Sequence, residues 1–133
     1  MKISVVKQYS IFMPNRPGAL ARLAKLFGDA TINIIGIESE VRDDSGMVRV
    51  AVDGEADHSA VLSKAGFASV ESRLLSVELE DKPGQLAKVT RILAENGVNI
   101  TNVYGTSFGN RVSRLLFAVE NTDDALKLLQ EKV

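Results

Sequence analysis

Strand-like alternation of apolar and polar residues appears twice along the chain and is followed each time by the same series of signals. Tyr9, Ile11 and Met13 share one face of an extended segment, as do Leu75, Val77 and Leu79. Each alternation runs into a Pro-Gly pair, after which helical spacing begins. Leu20, Leu23, Ala24 and Phe27 in one case, and Leu86, Val89 and Leu93 in the other, predict amphipathic helices of about three turns. Gly28 and Gly97 fall near their ends, where a helix is readily stopped. A second strand is expected from Ile32 or Val98, followed by a hairpin turn at Asp43-Asp44-Ser45-Gly46 or Gly109-Asn110. A third strand then alternates Val48, Val50 and Val52, or Leu115, Phe117 and Val119. Polar starts at Asp57-His58-Ser59 and Thr122-Asp123-Asp124 open a second helix carrying Val61, Leu62 and Ala65, or Leu126, Leu128 and Leu129.

These parallel series are an internal repeat. Asn15-Arg16-Pro17-Gly18-Ala19-Leu20-Ala21 returns as Asp81-Lys82-Pro83-Gly84-Gln85-Leu86-Ala87, 66 positions later, and Asn33-Ile34 returns as Asn99-Ile100 at the same offset. Beyond the hairpin the offset becomes 67, pairing Val50 with Phe117 and Val52 with Val119. A closing strand is expected at residues 67–72, running straight into the opening strand of the second copy at 73–80. Each copy therefore reads as βαββαβ, an α+β ferredoxin-like sandwich with an antiparallel sheet covered by helices on one face. The expected modules are residues 1–70 and 71–133. Because the chain stops after the last helix, the second module has no closing strand of its own. Residues 1–6 are expected to supply it, which would otherwise leave an unpaired edge beside the second module's opening strand.

Composition narrows the partners. Of the 133 residues 45% are apolar and 25% charged, the balance of a globular protein with a packed core. A net charge of −1, with no Arg/Lys cluster beside aromatics, offers no field for a phosphate backbone, so no nucleic acid partner is expected. No apolar run approaches the length of a membrane span, and the apolar stretch at the amino terminus is too short for a signal sequence; no membrane partner is expected. The chain has no cysteine, which removes disulfides, thiolate metal sites and thiol nucleophiles and fits a cytoplasmic protein. Units of this size are marginal alone, so pairing of modules, and a homodimer, are expected on stability grounds.

The Pro-Gly loop carries the candidate chemistry. Pro17 and Pro83 fix φ at a turn, and Gly18 and Gly84 let the backbone approach a ligand just before a helix. First-turn amides lack intrahelical partners and sit at the positive end of the helix, a natural place for a carboxylate. Asn15 or Asp81, two residues before each proline, can accept a hydrogen bond from an ammonium group. Together these hold both ends of an α-amino acid. An ordinary turn in which the Asn or Asp serves local backbone groups has the same local sequence; repetition of the loop together with Leu-Ala and the later Asn-Ile weighs against it.

With the strand, the Asn/Asp-x-Pro-Gly-x-Leu loop, the amphipathic helix and the Asn-Ile pair all present twice, the chain resembles the ACT domains over nearly its whole length. The resemblance implies a non-catalytic regulatory role: binding of a small amino acid or related metabolite at an interface between paired modules. By position it implies contacts from Asn15, Gly18, Ala19 and Leu20, from Asp81, Gly84, Gln85 and Leu86, and from Asn33-Ile34 and Asn99-Ile100 opposite. Leu20, Ile34, Leu86 and Ile100 would line the pocket. It also implies the alternative of an interaction subunit that docks on a separate enzyme of amino-acid metabolism.

Other candidates are weaker. His58, the sole histidine, stands at a helix start without a relay or metal partner and reads as solvated. Gly105-Thr106-Ser107-Phe108-Gly109 lies between a strand and a hairpin, so it does not meet the geometry of a phosphate cradle. Glu38, Glu40, Arg42, Asp43 and Asp44 read as an exposed edge strand and turn, with only an unspecific claim on a divalent metal. Ser10, Ser76 and Ser107 have no base to activate them. Neither catalysis nor a cofactor or metal is expected.

Overall fold

The computed structural model describes residues 1–107 and 111–133; the hairpin turn expected at Gly109-Asn110 lies outside them. The elements follow in the order β1 (Lys2–Pro14), α1 (Ala19–Asp29), β2 (Ile34–Arg42), β3 (Ser45–Val52), α2 (Ser59–Lys64), β4 (Ala68–Glu80), α3 (Gln85–Glu95), β5 (Ile100–Thr106), β6 (Val112–Val119) and α4 (Thr122–Lys132). The protein is α+β, with antiparallel strands and helices repeating as two ferredoxin-like sandwiches. Among the described residues, no helix is long and apolar enough to cross a membrane.

Two compact units form: Lys7–Ser72, and Met1–Val6 together with Arg73–Val133. Both boundaries fall inside long strands, so β1 and β4 each contribute one segment to either unit. In the first unit the strand order is β2-β3-β1-β4, and in the second β1-β4-β6-β5. In each, the opening strand lies between the third strand and the closing one, and the second strand forms an edge. The closing strand of the second unit is the Met1–Val6 part of β1. Lys2 Nζ meets Glu78 at 3.8 Å, and Ile3 and Val5 pack on that unit's core. In the first unit the closing segment of β4 is tied to β1 by Gln8 Nε2 donating to Ser72 Oγ at 3.1 Å and by a Lys7–Glu71 ion pair at 2.6 Å.

Period-two alternation decides what each sheet buries. In the first unit Tyr9, Ile11 and Met13 of β1 and Val48, Val50 and Val52 of β3 face Leu23 and Phe27 of α1 and Leu62 of α2. The register sets Tyr9 opposite Val50 and Ile11 opposite Val48. In the second unit Leu75, Val77, Leu79 and Phe117 face Val89 and Leu93 of α3 and Ala125 and Leu129 of α4, with Leu75 opposite Phe117. Each such buried side chain contributes about 1.5–3 kcal/mol.

Helix faces differ from the expected ones in one respect. Leu20 and Leu86 are 49% and 48% exposed, and Ala24 is exposed as well. The buried stripe runs instead through Ala19, Leu23, Leu26 and Phe27, and through Val89, Ile92 and Leu93. At about 100° per residue, Leu20 and Leu86 stand on the shoulder of the helix rather than over the core. His58 is also not simply solvated. It precedes α2, its backbone amide donates to Tyr9 Oη at 2.8 Å, and its ring lies 6.3 Å from that of Tyr9.

The two long helices stop in the same way, but not at both expected glycines. After α3, Gly97 (φ 72°) donates to Ala94 O and Val98 N to Leu93 O; after α1, Thr31 (φ 57°) donates to Gly28 O and Ile32 N to Phe27 O. This is the bond pattern of a Schellman stop, in which a left-handed residue turns the chain and an apolar one then packs back. Gly28 lies within α1, and the left-handed position falls on Thr31, whose branched side chain strains it by about 1–3 kcal/mol.

Replacing Thr31 by Gly is expected to stabilise the protein by about 1 kcal/mol, since relief of the strain exceeds the added chain entropy of glycine. Urea unfolding measures it; an unchanged or lower midpoint contradicts the strain. Removing residues 1–6 is expected to destabilise the Arg73–Val133 unit by several kcal/mol, because ladder bonds and the burial of Ile3, Val5 and Val6 are lost together. A truncated chain that unfolds like the intact one contradicts that.

Candidate functional site

Both Pro-Gly loops are pinned to the hairpin of their own unit by equivalent backbone bonds. Asn15 N donates to Asp44 O at 2.9 Å, and Asp81 N to Arg111 O at 2.7 Å. One residue on, Arg16 N donates to Pro14 O and Lys82 N to Glu80 O, so the chain doubles back directly after the strand. Gly18 (φ 88°, ψ −13°) and Gly84 (φ 89°, ψ −10°) then start the helices in the left-handed conformation. A Cβ built at either glycine meets nothing within 4 Å, so glycine is required by the backbone angle and not by a close neighbour. In the second loop Gln85 N donates to Lys82 O and Lys88 N to Gly84 O; the amides of Leu86 and Ala87, with no residue four back inside α3, belong to the open first turn.

Against each loop lies a cavity. The one in the first unit, about 130 Å³, is lined by Asn15, Arg16, Ala19 and Leu20 together with the end of β2 (Ser39, Glu40, Val41) and the start of β3 (Gly46, Met47, Val48). Its counterpart in the second unit, about 270 Å³, is lined by Asp81, Lys82, Gln85 and Leu86 together with Gly105, Thr106 and Ser107 at the end of β5 and Ser113 and Leu115 of β6. The half-exposed Leu20 and Leu86 form one wall of each. Side-chain partners differ. Asn15 Nδ2 donates to the turn carbonyl of Asp43 at 3.2 Å, whereas the Asp81 carboxylate accepts a hydrogen bond from Ser107 Oγ across the cavity. Glu80 and Lys82 pair at 2.6 Å at the rim. That pairing holds the Glu80 carboxyl below its usual range and the Lys82 ammonium above its own.

Within a unit the structure brings together Asn15, Ala19 and Leu20, and likewise Asp81, Gln85 and Leu86. Gly18 and Gly84 shape the loops without lining the cavities. Asn33-Ile34 and Asn99-Ile100 lie at the far end of their sheets. Ile34 is level with Val52 and Lys7, whereas the loop is level with Arg42 and Ser45. Ile34 and Ile100 pack on the cores of their own units, and Asn33 and Asn99 are exposed. The acidic cluster of β2 also has a structural partner: Arg49 Nη1 bonds Glu38 at 2.5 Å and Glu40 at 2.8 Å. Among the described residues no group of His, Asp or Glu is arranged to hold a metal ion.

Sequence reasoning missed the hairpin side of both cavities. Gly105-Thr106-Ser107, considered as part of a phosphate cradle and, at Ser107, as a nucleophile, is one wall of the larger one. The signal was present in the topology: once β1 pairs with β3 and β3 with β2, the end of β2 must flank the end of β1. Gly105 is the tightest point of this wall, since a Cβ there would lie 2.6 Å from Arg114 O and 2.7 Å from Leu115 Cδ2.

Two ferredoxin-like units, each with a turn-to-helix loop closed over its hairpin, define a duplicated ferredoxin-like type of α+β protein. The chain belongs to the ACT domain pair family, whose model matches residues 4–133, and ACT domains are regulatory modules. Protein BT0572 from Bacteroides thetaiotaomicron is similar over 98% of this chain and 90% of its own, with 28% identity and a TM-score of 0.86. The ligand-free regulatory subunit of aspartate kinase from Thermus thermophilus shares the fold, with 18% identity, a TM-score of 0.67 and coverage of 98% and 96%. So does the structure of aspartokinase alpha and beta subunits, with 19% identity, a TM-score of 0.66 and the same coverage. No curated protein matches the sequence significantly.

Gly105→Ala is expected to cost about 1–3 kcal/mol, because the added methyl meets backbone that cannot move aside, while Ser39→Ala at the equivalent position of the first unit stays within about 0.5 kcal/mol. Chemical denaturation of the two variants checks the difference.

Proposed function

We propose that this protein is a non-catalytic regulatory sensor that binds a small amino acid in the cavity between the Pro-Gly loop and the hairpin. The observation that carries this reading is the Asp81 carboxylate, placed on one side of a cavity of about 270 Å³ whose other wall is the first turn of α3. An ammonium group fits the carboxylate and a carboxylate fits the open amides and the positive end of the helix. The volume is at the low end for small-molecule sites, which suits a metabolite the size of an amino acid. The regulatory modules of the family support the same role.

The test is a thermal-shift series of the full chain against the common amino acids. At a hundredfold excess over Kd one bound ligand adds about 2.7 kcal/mol of stability, and the melting temperature rises accordingly. Asp81→Ala is expected to weaken that ligand more than Asn15→Ala, since a carboxylate makes a charge-assisted bond to the ammonium and an amide a neutral one. Equal losses contradict the assignment of Asp81, and a series in which no amino acid raises the melting temperature overturns the sensor.

A further inference from the structure

The two cavities occupy equivalent places and differ in chemistry position by position. Gln85, Ser107 and Ser113 of the second cavity correspond, at the repeat offset, to Ala19, Val41 and Gly46 of the first. The second cavity thus has three side chains that can hydrogen-bond where the first has three that cannot, while at Gly105 and Ser39 the polar side chain is the first cavity's.

Ser113 gives this difference a direction. It lies on β6 opposite Leu79, on the face that carries the core, and is only 6% exposed. Among the described residues no hydrogen bond engages its hydroxyl, yet the oxygen is not sealed off, because the residue borders the cavity. The hydroxyl opens to the cavity and makes no bond to the protein there, so it can bond a polar guest that displaces water, while an apolar guest would cover it and leave it unpaired. The other end of such a guest is met by Asp81, already oriented by Ser107. In the first cavity Asn15 is turned to the Asp43 carbonyl and Gly46 offers nothing at the place of Ser113.

We propose that each chain holds one competent site, the cavity of the second unit, and that it selects an amino acid whose short side chain ends in a hydroxyl or amide reaching Ser113. The first cavity is a diverged copy that does not bind this ligand. The proposal rests on the sensor reading above and adds to it the class of ligand, the stoichiometry and a specificity-determining residue.

Isothermal titration of the full chain tests it with three isosteric pairs: L-serine and L-2-aminobutyrate, L-threonine and L-valine, L-asparagine and L-leucine. The expected result is one site per chain and at least about tenfold tighter binding of the polar member of one pair, because a site built around a polar group rejects the analogue that leaves it unpaired. Ser113→Ala is expected to remove that preference and to leave the unliganded melting temperature close to that of the parent. Comparison of the pairs on the unaltered protein needs no variant, so the test stands even where Ser113→Ala disturbs folding. Binding at two sites per chain, equal affinity within every pair, or a preference that survives Ser113→Ala overturns this inference and leaves the amino-acid sensor in place. Absence of binding by every common amino acid overturns both.

Discussion

The arrangement of both cavities depends on one constraint, the antiparallel register that carries β1 through β3 to β2 in the first unit and β4 through β6 to β5 in the second. With Pro14 opposite Ser45 and Ser45 opposite Arg42, the end of the opening strand and the tip of the hairpin are held side by side. The Pro-Gly loop then has nowhere to go but over that tip, and the bond from Asn15 N to Asp44 O fastens it there. A slip of one residue would turn Tyr9, Ile11 and Met13 away from the helices, so the packing of the core and the position of the loop are enforced by the same ladder.

Duplication leaves the backbone solution intact while the side chains diverge. Gly18 and Gly84 retain nearly identical left-handed angles because no other residue takes them without strain, and the helix stops repeat the same bonds even though one uses Gly97 and the other Thr31. Cavity walls are under no such backbone requirement. A position such as Gly46 or Ser113, beside the same core strand in each unit, can lose or gain a hydroxyl with little effect on the ladder. Divergence in the chemistry of the cavity walls on a repeated frame is the expected outcome of that difference.

Much of the fold was legible because it rests on local periodicity. Alternation in β1 and β3, helical spacing in α1 and α3, and turn residues before each helix place the elements within a few residues, and repetition of the whole series excludes accident. The errors are also physical. Leu20 and Leu86 follow the apolar pattern but stand one helical step past the core, where a hydrophobic residue serves a cavity wall instead of the interior. Gly28 looked like a helix stop, yet the stop lies where the chain must reverse to return Ile32 to the core, and that is set by packing. On the site, the loop residues were visible from their motif, while Ser107, Ser113 and the hairpin wall were not, since no short-range pattern marks residues that meet only through strand pairing.

By itself, then, the amino-acid sequence determined the repeat, the βαββαβ character of each copy, the family, and the two loops at which helices begin, because all of these follow from side-chain periodicity and from the conformational limits of Pro and Gly over a few residues. Tertiary structure alone decided which residues stand across from those loops. It carried Asn33-Ile34 and Asn99-Ile100 to the far end of their sheets and set Ser113 at the wall of the larger cavity. The reason is that backbone pairing joins segments far apart in the chain by hydrogen bonds that every residue type makes alike, so the partners leave no mark in local sequence.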